Sequence, residues 1–225
     1  MPTKGKEAAG KKAAEFIENN MVVGLGTGST TAYFISALGK RCRDGLSIKA
    51  VATSLSSAEQ AKKEGIPLID LNTLDSIDID VDGADEIDTK KRMIKGGGGA
   101  LFREKIIAAM SKEMIVIVDE SKVVDHLGEF ALPVEISPFG HLATLRHLND
   151  NGLKGTLRQA PNNQPFITDN NNYILDIPLT FPCENPEEIH HRICNIPGVI
   201  DTGFFFNLAG RVIIGRNDGT VDLLD

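Results

Sequence analysis

The chain has 225 residues, 41% hydrophobic and 24% charged, with a net charge of −7 and a pI near 5.3. That composition is ordinary for a soluble globular protein, and the length suits one large domain or two small ones. The acidic balance argues against nucleic acid as the main partner, and no apolar run approaches the roughly 18 residues of a membrane span.

Residues 5–19 read as an amphipathic helix, with Ala9, Ala13, Phe16 and Ile17 at helical spacing. The start of the chain runs into this helix without an apolar leader segment. With three cysteines (Cys42, Cys183, Cys194) and no CxxC spacing, the expectation is a soluble cytoplasmic protein with neither a disulfide framework nor a zinc site. Met21–Leu25 is a short apolar strand, Gly26-Thr-Gly-Ser-Thr30 a glycine-hydroxyl loop, and Thr31 to about Arg43 a helix. A second strand, Ile48–Ala52, leads to a second hydroxyl-rich loop, Thr53–Ser57, and a helix ended by Gly65. Strands follow at Pro67–Asp70 and Ile77–Val81, then a helix over about 100–111 and a strand at 113–118. Strands alternating with helices predict a doubly wound, Rossmann-like, mostly parallel sheet.

The pattern changes near residue 130. Strands at 132–137, 153–159, 173–178 and 199–206, with helices at 139–150 and 186–195, follow the order β-α-β-β-α-β of a split-βαβ, ferredoxin-like unit. The expected division is therefore a catalytic domain over 1–130 and a smaller α+β domain over 131–206. Residues 207–225, a hairpin around Asn217-Asp-Gly219, are expected to return to the first sheet.

Gly24-Leu-Gly-Thr-Gly-Ser-Thr-Thr31 follows a strand and opens a helix, where backbone N–H groups and the helix dipole favour an anion. Ser29 stands where the dinucleotide fingerprint needs glycine, and no Gly-Lys-Ser/Thr ends the loop as in a Walker A motif. Thr27, Gly28, Ser29 and Thr30 suit a small polar ligand such as a sugar phosphate; a plain strand-to-helix turn with a serine cap is the alternative.

The segment Asp80-Val-Asp-Gly-Ala-Asp-Glu-Ile-Asp88 with Lys95-Gly-Gly-Gly-Gly-Ala-Leu-Phe-Arg-Glu-Lys105 concentrates polar chemistry at a strand end. Open α/β sheets bind ligands at the carboxyl ends of their strands. Asp82 and Asp85 flank Gly83-Ala84 in a turn able to aim both carboxylates into a crevice. Gly96, Gly97 and Gly98 can present N–H groups to a negative oxygen, beside the cation Lys95. Glu104 is placed to be a base. A solvated acidic turn or hard-metal ligation by the aspartates remains open. Lys122, just past the strand at 113–118, and Lys6, on the first helix, are further candidates for a phosphate or carboxylate. The histidines, His190 and His191 among them, show no pairing with Cys or Glu at ligand spacing and read as structural or surface groups.

Taken as a set, Gly24–Thr30, Asp82-Gly-Ala-Asp85, Lys95-Gly-Gly-Gly98 with Arg103-Glu-Lys105, and Ser121-Lys122 resemble ribose-5-phosphate isomerase type A. The resemblance extends through Leu132-Pro-Val-Glu135, Thr168-Asp-Asn170 and Ile196-Pro-Gly-Val199, so it spans essentially the whole chain. It implies an isomerase without metal or other cofactor, acting in the cytoplasm on a sugar phosphate in the pentose phosphate pathway, as a dimer or tetramer. Within it, Glu104 matches the proton acceptor. Thr27–Thr30, Asp82–Asp85, Lys95–Gly98 and Lys122 match substrate-binding positions, with Asp82 assisting ring opening and Lys95 steadying the enediolate. Gly99 departs from the alanine often found there. A sugar-phosphate-sensing domain, a coenzyme A transferase and an amino-sugar phosphate deaminase are the competing readings; the Lys95 to Glu104 constellation separates them from the isomerase.

Overall fold

The computed structural model describes residues 3–224; the ends of the expected domain ranges, residues 1, 2 and 225, lie outside the described residues. The chain forms two compact units. The first comprises the chain through Ala84, then Arg103–Val123, then Leu208 onward; the second comprises Asp85–Phe102 and Val124–Asn207.

The first unit is an open α/β sheet. Helix α1 (Thr3–Ala14) precedes β1 (Val22–Leu25), followed by α2 (Ser29–Arg43), β2 (Lys49–Ala52), α3 (Leu55–Glu64) and β3 (Ile77–Asp82). After the excursion of residues 85–102 into the second unit, α4 (Leu101–Met110) leads to the strand Ser111–Asp119. That excursion contains β4 (Glu86–Asp88) and β5 (Met93–Ile94), so the strand at 111–119 is β6. With β7 (Val123–Val124) the chain passes to the second unit, whose sheet strands are β8 (Leu132–Ile136), β9 (Thr156–Leu157), β10 (Tyr173–Ile177) and β11 (Val199–Thr202). Its helices are α5 (His141–Asp150) and α6 (Pro186–Cys194), and β12 (Phe204–Phe205) ends it. The hairpin β13 (Ala209–Gly215) and β14 (Val221–Leu224) closes the chain in the first unit.

The sheet order is β14-β13-β6-β3-β1-β2, parallel throughout except for the β13–β14 hairpin. The chain steps from β1 outward to β2, then crosses to β3 on the other side of β1. The carboxyl ends of β1 and β3 therefore flank the topological switch point, where a doubly wound sheet opens its ligand crevice. Val23, Leu25, Ile115 and Ile117 are buried in a core shared with α1 and α2. Val51 and Ile77 join Ile107 of α4 in a separate cluster. Near-continuous apolar strands are what a parallel sheet buried on both faces requires.

The second unit's main sheet has the order β11-β8-β10-β9, all antiparallel. Numbering its four strands by sequence gives 4-1-3-2, the arrangement of a split-βαβ unit. A small sheet of order β12-β5-β4-β7 accompanies it.

Several expected elements are corrected. The first helix stops at Ala14, five residues early, as its end tightens into i→i−3 bonds at Glu15, Phe16 and Ile17. The Arg41 guanidinium then takes the carbonyls of Ala14 and Ile17. The strand expected at Pro67–Asp70 is a single bridge from Leu68 to Ala50. Pro67 has no N–H to give, and Asp70 turns to cap the short 3₁₀ turn Leu71–Thr73. The strand expected at 199–206 divides at Gly203: β11 pairs with β8, and β12 with β5. Neither β4 nor β5 was anticipated, because three- and two-residue strands carry no readable periodicity.

Candidate active site

In the first unit the glycine-hydroxyl loop leaves β1 at Gly26, whose N–H is bonded to the Val81 carbonyl at 3.0 Å. Asp82, the last residue of β3, is fully buried. Its Oδ1 accepts from the Thr27 N–H at 3.0 Å and the Gly83 N–H at 2.7 Å. A Cβ at Gly26 would sit 2.1 Å from that same oxygen. Glycine is present at 26 because the Asp82 carboxylate occupies the space a side chain would fill.

The Thr27 hydroxyl lies 2.6 Å from Thr53 Oγ1 and donates to Ser54 Oγ at 2.8 Å, while Ser57 Oγ donates to the Gly26 carbonyl at 2.6 Å. Thr53, Ser54 and Ser57 are buried. The second hydroxyl-rich loop thus braces the first from beneath, and Ser54 also caps α3 by accepting the Ser57 N–H at 3.1 Å. Thr53, Ser54 and Ser57 were not among the expected site residues; the repeated hydroxyl pattern was the signal that could have found them.

Helix α2 opens differently from the serine-capped alternative. Its cap is Gly28, at φ +122° in open space, and no side chain caps the first turn. Gly28 and Ser29 are exposed, with Thr30 half-buried. A helix start without a side-chain cap is a place that favours an anion. Lys6 of α1 reaches this place: its Nζ donates to Ser29 Oγ at 2.9 Å and lies 3.8 Å from Asp119 Oδ2. Asp119, buried at the end of β6, also accepts the Ser121 N–H at 3.1 Å and so fixes the 3₁₀ turn that ends at the half-buried Lys122. Asp119 is a further residue that the sequence reading passed over. Glu104 lies in the first turn of α4, 4% exposed. Ala84 and Gly83 are half-buried at the end of β3.

In the second unit, Asp85 holds the glycine run. Its Oδ2 accepts the Gly97 N–H at 2.7 Å, and its own N–H bonds to the Ile94 carbonyl at 2.8 Å. From the other side Arg158 Nη1 donates to the Gly96 and Gly97 carbonyls at 2.9 and 3.0 Å, while its Nε donates to Asp176 Oδ2 at 2.9 Å. Arg158 lies 62 residues beyond Gly96 and 61 beyond Gly97, and nothing in its local sequence marks it. Gly97 and Gly98 are exposed, whereas Gly96 and Lys95 are buried. The Lys95 Nζ sits 5.4 Å from the Phe205 ring centroid, on its face, and its N–H bonds to the Gly203 carbonyl at 2.8 Å. The departure at Gly99 has a local cause: φ is +78°, and a Cβ would lie 2.4 Å from Phe166 Cε1.

The expectation that no histidine pairs with cysteine fails. Cys194 Sγ lies 3.6 Å from His190 Nδ1, one turn apart on α6.

Solved structures of one group of aldose–ketose isomerases share this open α/β sheet joined to a smaller antiparallel unit. A ribose 5-phosphate isomerase structure from Plasmodium falciparum matches with a TM-score of 0.94 at 39% identity, covering 100% of this chain and 99% of that one. A D-ribose-5-phosphate isomerase solved in complex with phospho-erythronic acid matches with a TM-score of 0.92 at 42% identity, covering 98% and 97%. At the sequence level, ribose-5-phosphate isomerase A of Protochlamydia amoebophila (strain UWE25) is 52% identical over 221 residues, 98% of this chain and 95% of the relative. That of Bacillus mycoides (strain KBAB4) is 47% identical over 214 residues, 95% and 96%. The family model for ribose 5-phosphate isomerase A (phosphoriboisomerase A) matches residues 49–219. The chain belongs to the ribose 5-phosphate isomerase A family.

Proposed function

We propose that this chain interconverts D-ribose 5-phosphate and D-ribulose 5-phosphate through an enediolate, in the non-oxidative pentose phosphate pathway. Family membership over nearly the whole chain is the observation that carries this reading.

Glu104 is the base. It removes the proton from C2 of the open-chain aldose; the C–H electrons form the C1–C2 double bond, and the C1 oxygen becomes an oxyanion. A proton passes from the C2 hydroxyl to the C1 oxygen. Glu104 then returns its proton to C1 as the C2 carbonyl forms, so the reaction balances without oxidant, reductant or cofactor. The near-complete burial of Glu104 supports the role, because a desolvated base keeps its proton from exchanging with solvent. Asp82 assists ring opening, held by two backbone N–H groups that fix its carboxylate. Lys95 and the N–H groups of Gly96 and Gly98 carry the oxyanion charge. Asp85, bound to the Gly97 N–H, positions that run. The phosphate belongs at the loop Thr27–Thr30 with Lys6 and Lys122; the uncapped start of α2 and the Lys6–Ser29 bond support this placement.

The same reading places the chain in the cytoplasm as a homodimer or tetramer. The exposure of Phe139 and Leu142 beside α5 supports self-association.

The test is a coupled assay with purified protein and ribose 5-phosphate. Glu104→Gln is expected to lower turnover at least about 10²-fold with KM little changed, since general-base catalysis contributes about 10²–10⁴-fold. Full activity in that variant would remove Glu104 from the role of base, and an inactive wild-type chain would overturn the substrate assignment. Chelator is expected to leave turnover unchanged. Phospho-erythronic acid is expected to compete with substrate.

A further inference from the structure

We propose that His190, Cys194 and Asp201 of the second unit form a binding site for a borderline divalent transition metal, zinc in the first instance. One ligand atom from each of these residues lies within 4.8 Å of the others.

The donor spacing falls near that of tetrahedral coordination. Zinc bonds of about 2.0 Å to nitrogen and about 2.3 Å to sulfur at the tetrahedral angle place N and S about 3.5 Å apart. Cys194 Sγ lies 3.9 Å from His190 Nε2, the ring nitrogen turned from Thr202, and a rotation of the exposed Cys194 side chain closes that spacing; its 3.6 Å approach is to Nδ1, which faces Thr202. The residues project from one place because His190 and Cys194 are four apart on α6, stacked on one helix face, and α6 returns through residues 195–198 into β11, which carries Asp201.

The surroundings pre-set the ligands. His190 Nδ1 lies 2.7 Å from Thr202 Oγ1. Donation from Nδ1–H to that hydroxyl fixes the tautomer that presents Nε2 to a metal, the usual outer-shell arrangement of a metal-bound histidine. Asp201 Oδ1 accepts the Thr202 N–H at 2.7 Å, which holds the carboxylate in place. Thr202 is fully buried and therefore a rigid support for both. Cys194 is the last residue of α6, whose carbonyl end attracts a cation.

The donor set selects the metal. A thiolate, an imidazole and one carboxylate suit zinc, and poorly suit magnesium or calcium, which take oxygen ligands. Three protein ligands leave a fourth position for water. Zinc at this site would join the end of α6 to β11 and stabilise the second unit. It takes no part in isomerisation, since none of the three residues belongs to the proposed catalytic set.

The experiment uses the full chain, reduced with a phosphine. Cobalt(II) is titrated as a spectroscopic stand-in, and zinc(II) by calorimetry and thermal unfolding. One equivalent of cobalt per chain is expected to give a thiolate-to-cobalt charge-transfer band in the near ultraviolet, displaced by zinc. Cys194→Ser is expected to abolish the band and weaken zinc binding more than about 100-fold, beyond the 10–100-fold typical of losing a second-shell partner. Its unfolding temperature without metal should equal that of the parent. Asp201→Asn should keep the band but weaken binding, whereas Cys42→Ser should change neither. Absence of the band, its persistence in Cys194→Ser, or its loss in Cys42→Ser would each overturn the site.

Discussion

Gly26 and Asp82 occupy one space, and the candidate site depends on that exclusion. A methyl group at 26 would meet Asp82 Oδ1 at 2.1 Å and its Cα at 2.6 Å, so backbone as well as side chain must move. Gly26→Ala is expected to lower kcat/KM about 10²-fold, the scale of a 1 Å misplacement in a catalytic group. Steady-state kinetics would show this, and wild-type rates would mean that the position of Asp82 is not critical. At this scale the sequence was legible where a residue type is chemically constrained. Asp82, Lys95 and Glu104 stand out because charge crowded around a strand end and a glycine run has few structural duties there, and all three prove buried. Asp119 was not legible as a site residue, because its importance comes from a partner far away in the chain; Thr53 and Ser57 carried a repeated hydroxyl pattern but no sign of which loop they brace. His190 and Cys194 show the opposite failure: their spacing of four is visible in the sequence, but a histidine beside a second histidine reads as helix surface until β11 is folded against it.

Two elements are fixed by arginines that no local pattern announces. Arg158, a neighbour of β9, clamps the carbonyls of Gly96 and Gly97 while paired with Asp176 on β10. Arg158→Lys is expected to lower kcat about tenfold or more with a smaller change in KM. A lysine makes no forked contact with both the carbonyls and the carboxylate, and oxyanion donors act only when held in place. An unchanged kcat would show that Asp85 alone holds the run. Arg211 of β13 makes a two-pronged pair with Glu113 of β6 and lies over the Phe16 ring with its Cζ 4.3 Å from the centroid. The Arg211 hydrogen bond, opposed by burial and aided by the guanidinium charge, holds the Glu113 carboxyl below its usual 4.5. A folded-state value below the unfolded one means stability that is complete above pH 4.5 and is lost as pH falls through the folded value. Glu113→Gln should therefore cost about 0.5–1 kcal/mol at neutral pH and almost nothing in strong acid, on the scale of a partly exposed pair. Urea unfolding across that range measures it; an equal cost at both ends would assign the effect to packing.

At the scale of the whole molecule, the chain leaves the first unit at Asp85, returns at Arg103, and leaves and returns again around residues 124–207. The exposed apolar side chains of the second unit, Phe139, Leu142, Ile167, Phe181 and Ile200 among the described residues, bear on the proposed self-association. Phe139, 93% exposed, is the sharpest of these. Sedimentation is expected to give a dimer or tetramer for the parent and a smaller species for Phe139→Asp. A monomeric parent would refute the assembly, and an unaltered variant would move its interface away from α5. The sequence by itself determined the α/β class, the split-βαβ order of the second unit, and the loops that carry charge and glycine. These follow from local physics: apolar periodicity, turn chemistry, and the cost of placing carboxylates and glycines where they serve no packing. Only the tertiary structure decided that Thr53–Ser57 braces Thr27, that Arg158 and Asp85 hold the glycine run, and that residues 85–102 fold with the second unit. It also brought His190, Cys194 and Asp201 together. Those are contacts between distant residues, and their energies depend on which strands become neighbours, which no short window of sequence encodes.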